Sequence, residues 1–260
     1  MARITFLGTG GGRHATIYQT RSTGGFILES DARIHVDPGP GAIVNMKTLK
    51  LDPAHTDAIL ISHCHPDHYS DAEVLIEGMC KGGVDKHGDV VGSLSVLKGD
   101  GGIGPCISSY HQRLSERCRS VTPGESFDIG NVNIVATASD HSDPSSVGFK
   151  FNTPDGLISY VSDTSFSESI ARQYIGSRVL MLPITTPDDK RIAGHMCTDD
   201  AVGFVNIVRP ELTVFVHMGI YMIKLGPEAQ AEKVRRATSC NVTAADDLMV
   251  LDIIDQITIR

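Results

Sequence analysis

Four side chains of types that can bind metals fall within six residues, directly after an apolar stretch. The segment reads Ile59-Leu-Ile-Ser-His63-Cys-His65-Pro-Asp67-His68. In extended backbone, residues i and i+2 point the same way, so His63 and His65 can share one metal. Asp67 and His68 follow a proline turn at the start of a helix, displaced from the first pair, where they can serve a second metal. These ligand types and spacings indicate a metal site rather than a histidine-rich surface turn.

The segment resembles the His-x-His-x-Asp-His signature of the metallo-β-lactamase superfamily, and the resemblance covers nearly the whole chain. It implies three further ligands, which are His141 in Ala-Ser-Asp-His-Ser, Asp163 in Tyr-Val-Ser-Asp-Thr and His217 in Val-Phe-Val-His. Asp37, in His-Val-Asp-Pro-Gly, matches a buried aspartate of the family and is interpreted as a structural turn residue. By the family pattern, one metal takes His63, His65 and His141, the other takes Asp67, His68 and His217, and Asp163 bridges them.

Two further motifs resemble the ribonuclease Z and phosphodiesterase branch of that superfamily. They are Phe6-Leu-Gly-Thr-Gly-Gly-Gly and Tyr160-Val-Ser-Asp-Thr. His195, in Gly-His-Met-Cys, resembles the extra histidine that ribonuclease Z uses beside its metals. The resemblance implies that His195 protonates the leaving group or stabilises charge in the transition state, with packing at a helix start as the alternative.

Three departures count against a tRNA-processing enzyme. Asp71 replaces the glycine that usually follows the signature, and Ile184 stands near the position of a glutamate that supports the extra histidine in ribonuclease Z. A Gly- and Lys-rich tRNA-binding arm is not evident. The formal net charge of −8 also repels a phosphate backbone. Stable tRNA binding is therefore not expected.

The resemblance implies a dinuclear metal-dependent hydrolase. Two divalent ions, zinc first with manganese or iron as alternatives, would activate a shared water and clamp substrate oxygens, with Asp67 and Asp163 orienting that water. The expected catalytic residues are Asp67 and His195, and the expected substrate is a small-molecule or short phosphodiester. Two alternatives stay open at this point: a lactone, thioester or amide hydrolase of the same fold, and a non-catalytic metal-binding protein.

Composition places the chain among globular proteins. It has 260 residues, of which 41% are hydrophobic, and this is enough for one large core, so residues 1–260 are predicted to form a single domain. Six scattered cysteines are interpreted as free thiols. The start of the chain does not read as a signal peptide, and no apolar run approaches the length of a membrane span. A cytoplasmic protein without membrane contact is expected, and the sequence allows a homodimer.

Short apolar runs bounded by Gly, Asp or Pro predict many strands and fewer helices. The predicted strands are Ile4–Leu7, Gly25–Leu28, Ile34–Val36, Ala58–Ile61, Val90–Leu97, Val132–Ala136, Val147–Phe151, Leu157–Val161, Val179–Ile184, Leu212–Val216 and Leu248–Ile253. The predicted helices are Asp71–Met79, Ser165–Ile175, Thr198–Val208 and Pro227–Thr238. The expected fold class is α/β, a four-layer αββα sandwich of two mixed β-sheets flanked by helices.

The stretch at about 78–123 is rich in Gly, Ser and charged residues. It is predicted to be a surface excursion, either a lid or a plain insertion with its own strand. His111 lies within it and could reach the site from a lid, although a solvated loop histidine is the preferred interpretation.

Overall fold

Two β-sheets pack face to face, and helices cover the outer face of each. The computed structural model describes residues 1–260. The strands are β1 Ala2–Phe6, β2 Phe26–Glu29, β3 Arg33–Val36, β4 Ala58–Ile61, β5 Asp89–Gly92, β6 Arg117–Ser120, β7 Ser126–Ile129, β8 Val132–Ala138, β9 Val147–Thr153, β10 Gly156–Tyr160, β11 Val179–Pro183, β12 Leu212–Val216, β13 Val242–Ala244, β14 Val250–Ile253 and β15 Ile257–Ile259.

The helices are short, and the longest has 12 residues. They are α1 Gly12–Tyr18, α2 Ala42–Thr48, α3 Pro66–Tyr69, α4 Ala72–Met79, α5 Leu94–Leu97, α6 Ser109–Gln112, α7 Glu168–Arg172, α8 Thr198–Val208, α9 Ile220–Leu225 and α10 Pro227–Thr238, with one 3₁₀ turn at Pro53–His55. None of the helices combines the length and apolar character that crossing a bilayer requires.

Both sheets mix parallel and antiparallel pairs. The first has the order β15-β14-β1-β2-β3-β4-β5-β6, and the second has the order β13-β12-β11-β10-β9-β8-β7. In the first sheet the pairs from β3 to β6 are parallel, and in the second the pairs from β10 to β13 are parallel. Because the carboxyl ends of parallel neighbours share one edge, loops that follow β3, β4, β10, β11 and β12 can meet there.

The main core lies between the two sheets. Large side chains from both inner faces meet there, including Phe26 of β2 and Phe151 of β9, whose rings pack edge to face. A second apolar layer joins the outer face of the second sheet to α7, α8, α9 and α10, and a third joins the first sheet to α2, α4 and α5. These layers confirm the predicted αββα sandwich of two mixed sheets.

Most predicted elements occur within one to three residues of the observed bounds. The exception is the predicted strand Val90–Leu97. The second half of this prediction is wrong, because β5 ends at Gly92 and a helical turn, α5, follows. Ser93 adopts an extended conformation at the start of that turn. Four strands lacked a clear apolar run and were not predicted, namely β6, β7, β13 and β15.

The 78–123 stretch packs largely against the first sheet. Its strands β5 and β6 extend the parallel part of that sheet, and Val90 and Val91 are fully buried. The two Gly-rich parts, 81–87 and 99–105, are mainly at the surface. The stretch therefore combines a core strand with exposed turns.

Candidate metal centre

The seven predicted ligands all lie on segments that follow strand ends. His63 follows β4, His141 follows β8, Asp163 follows β10 and His217 follows β12. His65 lies in the same loop as His63, and Asp67 and His68 form the first turn of α3. A strand that is buried on both faces cannot shift along its neighbours without exposing apolar side chains. The sheets thus hold each ligand loop at a defined place.

The first group of candidate ligands contains His63, His65, His141 and Asp163. Nδ1 of His65 lies 3.0 Å from Nε2 of His63 and 3.1 Å from Nε2 of His141. Two ligands of a tetrahedral zinc ion are roughly 3.3 Å apart, given zinc–nitrogen bonds of about 2.0–2.1 Å. The three nitrogens are therefore spaced as ligands of one ion.

The second group of candidate ligands contains Asp67, His68 and His217. Oδ2 of Asp67 lies 3.2 Å from Nε2 of His217 and 3.8 Å from Nε2 of His68. The imidazole rings of His68 and His217 are stacked, with centroids 5.0 Å apart. These three atoms converge as the ligands of a second ion would.

Asp163 connects the two groups. Its Oδ2 atom lies 3.9 Å from Nε2 of His63 and of His141, in the first group. The same atom lies 3.6 Å from Nε2 of His68 and 3.2 Å from Nε2 of His217, in the second. One carboxylate oxygen thus faces both groups, which is the position of a bridging ligand.

Asp37 sets the orientation of two imidazoles. Its Oδ2 accepts hydrogen bonds from Nδ1 of His68 at 2.9 Å, from the hydroxyl of Ser62 at 2.7 Å and from the hydroxyl of Tyr160 at 2.7 Å. Since the Ser62 hydroxyl donates to Asp37, its oxygen can accept from Nδ1 of His63, 2.9 Å away. When each ring is neutral, this arrangement leaves its Nε2 atom unprotonated and able to bind a cation.

Two other imidazoles are oriented by groups that the sequence did not point to. The carbonyl oxygen of Gly194 accepts from Nδ1 of His141 at 2.8 Å. The hydroxyl of Thr185 lies 3.2 Å from Nδ1 of His217. A backbone carbonyl leaves no side-chain signature, so the role of Gly194 could not be read from the sequence, although its φ of 74° suits glycine.

Buried polar atoms in the site lack partners within the protein. Nε2 of His68 and Oδ1 of Asp163 are both buried without a hydrogen bond. Leaving such atoms unpaired is costly, and the charge of a buried carboxylate must be offset by hydrogen-bond donors or by a positive charge. A pair of divalent cations in the two groups would satisfy both requirements, so the residues fit a metal centre.

Three histidines and Asp163 are held in the ionisation states that bind cations. Burial lowers the pKa of His65 and His141, and burial together with the charge of His68 lowers the pKa of His63. Burial alone would raise the pKa of Asp163, but the charges of His217 and His68 hold it well below its usual range. These three neutral imidazoles beside an ionised carboxylate form a donor set for a divalent metal.

His68 differs from these three histidines. Burial opposes protonation of its ring, but the carboxylates of Asp67 and Asp37 outweigh burial and raise the pKa of His68. A metal bound at Nε2 of His68 would therefore displace a proton.

The Gly-rich turn before α1 packs directly on the second group. The backbone N–H of Gly12 donates to Oδ2 of Asp67 at 2.9 Å. A Cβ atom on Gly11 would lie 2.2 Å from Cδ2 of His217, which is well inside contact distance.

Three residues of the site have a strained backbone. Asp37, Ser162 and His217 adopt positive φ angles of 51°, 61° and 53°. Such backbone costs about 1–3 kcal/mol per residue and is typical of functional sites.

His195 lies in the centre rather than at its margin. Its Nε2 atom is 3.4 Å from Oδ2 of Asp163, and its ring stacks on that of His217 with centroids 5.9 Å apart. The carbonyl oxygen of Ala193 accepts from Nδ1 at 3.0 Å. Burial opposes protonation of His195, but the hydrogen bond and charge of Asp163 outweigh it and raise the pKa.

Other residues singled out in the sequence lie outside the two groups. Asp71 accepts hydrogen bonds from the backbone N–H groups of Gly41 and Ile43, so it anchors the start of α2. Ile184 is buried in the apolar layer beneath α8. His111 pairs with Glu73 and Glu77 of α4, and it does not belong to either group. All six cysteines are free, as predicted.

Sequence comparison identifies relatives of the chain. A family model described as the beta-lactamase superfamily domain matches residues 32–218. The Methanocaldococcus jannaschii protein MJ1374 is 43% identical over 245 residues, which are 93% of this chain and 91% of that protein. A ribonuclease Z from Thermococcus kodakarensis is 38% identical over 84 residues, which are 30% of this chain and 24% of that enzyme.

Solved structures share the fold along the whole chain. The metallo-β-lactamase fold protein YhfI from Bacillus subtilis superimposes with a TM-score of 0.78 at 18% identity, covering 96% of this chain and 98% of that one. A diphosphatase of the PhnP family superimposes with a TM-score of 0.70 at 17% identity, covering 99% of this chain and 100% of that one. The short form of human tRNase Z superimposes with a TM-score of 0.68 at 18% identity, covering 97% of this chain and 99% of that one. The chain therefore belongs to the metallo-β-lactamase superfamily of metal-dependent hydrolases.

Proposed function

We propose that this protein is a dinuclear hydrolase that cleaves a phosphodiester-type bond, with zinc in both ligand groups. The observation that carries the proposal is the position of Asp163, whose Oδ2 lies within 3.9 Å of ligand nitrogens from both groups. The seven proposed ligands offer nitrogen and oxygen but no thiolate, a donor set that also accepts manganese or iron.

Bound metals would supply an activated water molecule and neutralise charge that develops on the substrate oxygens. The chain itself must orient the water and the substrate. Asp67 is suited to orient the water, because the N–H of Gly12 holds its carboxylate at the second group. As a general base or orienting group it needs a hydrogen bond to the attacking water, which a buried, ionised carboxylate can accept.

His195 is suited to act on the leaving group. The carbonyl oxygen of Ala193 accepts a hydrogen bond from Nδ1, so Nε2 is the atom that faces the centre. Its side chain is 18% exposed, more than Asp163 at 2% or His217 at 5%, so substrate can approach it. A protonated Nε2 can donate to a departing oxygen, which is general acid catalysis.

A small phosphodiester is the proposed substrate class. Two proteins of the same fold are a diphosphatase of the PhnP family and yeast PDE1, and part of the chain resembles ribonuclease Z. The net charge of −8 disfavours long polyanions. In addition, the 78–123 stretch adds two strands to the first sheet instead of extending from the body as an arm.

A substrate panel tests the proposal against other bonds. Zinc-loaded protein would be assayed with bis(p-nitrophenyl) phosphate, a p-nitrophenyl nucleotide ester, lactones and thioesters. We expect turnover of the phosphodiesters in preference to the others. Faster turnover of lactones or thioesters, with phosphodiesters untouched, would reject the phosphodiester assignment and support a carbonyl hydrolase.

Two variants show whether activity arises from this centre. Asp163→Asn retains the shape of the bridging side chain but removes its charge, so we expect loss of activity. His55→Ala is the control, because His55 is exposed in the 3₁₀ turn before β4, at the end of that strand away from the site. Equal activity in both variants would mean that a contaminating hydrolase is being measured.

A further inference from the structure

A second buried carboxylate lies next to the first ligand group without belonging to it. Asp143 is 2% exposed, and both of its oxygens are occupied by donors from the chain. Oδ2 accepts from the backbone N–H of Cys64 at 2.9 Å and from the hydroxyl of Ser95. Oδ1 accepts from the backbone N–H and the hydroxyl of Ser145, at 2.9 and 3.1 Å. Asp143 forms no salt bridge, so these hydrogen bonds alone offset its buried charge.

The partners of Asp143 come from three separate segments. Cys64 lies between the proposed ligands His63 and His65. Asp143 itself lies two residues after the proposed ligand His141, and Ser95 belongs to α5 of the 78–123 stretch. The hydroxyl of Ser145 also accepts from the backbone N–H of Ser95 at 2.9 Å, which closes the network.

The loop of His63 and His65 and the loop of His141 come from different sheets. Each follows a strand end, β4 in the first sheet and β8 in the second. Their nitrogens must nevertheless meet within about 3 Å for one metal to bind. A backbone contact from Val147 to Ser62 joins these two loops, and the exposed hydroxyl of Ser142 lies 3.4 Å from Nε2 of His65. The carboxylate of Asp143 adds the buried side-chain contact between them, through the N–H of Cys64.

We propose that Asp143 is a positioning residue for the first ligand group, which sets the distance between His65 and His141 through the backbone of Cys64. This inference rests on the proposed two-metal site. It assigns no ligand or proton-transfer role to Asp143, since all four of its donors are protein groups. Groups that orient metal ligands typically change metal affinity 10–100-fold when they are altered.

The effect should be selective for one metal. The second group is oriented by other contacts, namely the N–H of Gly12 on Asp67, the carboxylate of Asp37 on His68 and the hydroxyl of Thr185 near His217. None of these involves Asp143 or its partners. A general loss of stability would weaken both groups, whereas loss of positioning weakens the first alone.

Zinc affinity measured in two backgrounds tests this selectivity. His217→Ala leaves the first group as the intact site, and His65→Ala leaves the second. Asp143→Asn would be added to each, and zinc binding followed by competition with a chromogenic chelator. We expect affinity to fall roughly 10- to 100-fold in the His217→Ala background and to be unchanged in the His65→Ala background.

Asp89→Asn is the matched control. Asp89 is likewise a buried carboxylate, but it lies at the start of β5, away from the site, and pairs with Arg117 of β6. It should leave zinc affinity unchanged in both backgrounds. If Asp143→Asn fails to fold, Ser95→Ala replaces it, because this change removes one donor and keeps the contact to Cys64. A smaller loss at the first group alone is then expected.

The outcomes separate this inference from the proposed function. Unchanged zinc affinity in both backgrounds, or an equal fall in both, would overturn the positioning role of Asp143. Failure of the unaltered protein to bind zinc at all would instead reject the metal centre itself.

Discussion

Nε2 of His195 lies 3.4 Å from Oδ2 of Asp163, the carboxylate oxygen that faces both ligand groups. The carbonyl oxygen of Ala193 accepts a hydrogen bond from Nδ1 of the same ring. His195 was expected to lack a partner that sets its tautomer, because Ile184 stands near the position of the usual glutamate. The backbone carbonyl of Ala193 fixes the tautomer of His195 instead, in the place of the glutamate carboxylate.

His195→Ala should lower kcat and kcat/KM together. If the histidine acts only on the leaving group, ground-state binding is unaffected, and general acid catalysis is worth ~10²–10⁴-fold. The defect should be large on alkyl phosphodiesters and small on p-nitrophenyl esters, whose leaving group needs little protonation. Steady-state kinetics on both substrate types, with metal content measured in parallel, checks this prediction.

His14→Ala serves as the comparison for His195→Ala, because His14 is an exposed histidine two residues beyond Gly12. It should leave both kinetic constants unchanged. A His195→Ala enzyme with normal rates on both substrate types would show that the residue only packs at the start of α8.

Gly11→Ala should disrupt the second ligand group. The added Cβ would lie 2.2 Å from the ring of His217, so the imidazole or the Gly-rich turn must move. We expect a loss of about 1–3 kcal/mol in stability, as for other overpacked sites, together with weaker binding of one metal. Thermal unfolding and metal analysis measure the two effects.

Gly104→Ala is the control, because a Cβ there meets no atom within 4 Å. The two variants differ in what the new methyl group contacts. Normal stability and full metal content in Gly11→Ala would mean that the turn lies farther from His217 than described.

The positions of the proposed ligands could be predicted because several of these residues follow strong, buried strands. His63 follows β4 and His217 follows β12, and every residue of both strands is buried, so their apolar runs are clear in the sequence. Strand β6 shows the opposite case: Arg117, Cys118 and Arg119 are exposed, and an edge strand with polar side chains carries no such run. The sequence-based expectation therefore worked best near the site.

Contacts made by backbone groups could not be predicted. The carbonyls of Ala193 and Gly194 orient His195 and His141, and the N–H of Gly12 holds Asp67. Any residue type offers these groups, so only the folded chain reveals them. The glycines of the Phe6-Leu-Gly-Thr-Gly-Gly-Gly motif carry part of the family resemblance, and the close approach of Gly11 to His217 supplies the physical reason for one of them.

Acid should destabilise the fold partly through His35. This histidine is buried and donates to the carbonyl of Gly24, and burial lowers its pKa from 6.5 to about 4. The unfolded chain binds the proton below pH 6.5, but the folded chain does not until about pH 4. Stability is therefore lost as the pH falls through this window, by roughly 3 kcal/mol in total.

Comparison with His35→Gln isolates this contribution, because glutamine can still donate to Gly24 but does not titrate. Chemical unfolding of metal-free protein at neutral pH and near pH 4 gives the difference in free energy of unfolding between the two proteins at each pH. That difference should shift by roughly 3 kcal/mol in favour of the variant at low pH. A constant difference across the range would contradict the assignment.

Binding of precursor tRNA should be weak at physiological salt. The chain carries 31 acidic against 23 basic residues, so nonspecific attraction to phosphates is small and falls steeply with added salt. Filter binding across a salt series, with a ribonuclease Z as the positive control, measures this. Tight, salt-resistant binding with cleavage at the 3′ end would assign the protein to tRNA processing.

The metal content of the purified protein tests the central claim most directly. Elemental analysis after reconstitution with zinc or manganese and removal of loosely bound ions should give close to two ions per chain. His65→Ala should retain about one, since it removes a ligand from the first group and leaves Asp67, His68 and His217 in place. A protein that holds no metal under these conditions would contradict the assignment of both ligand groups.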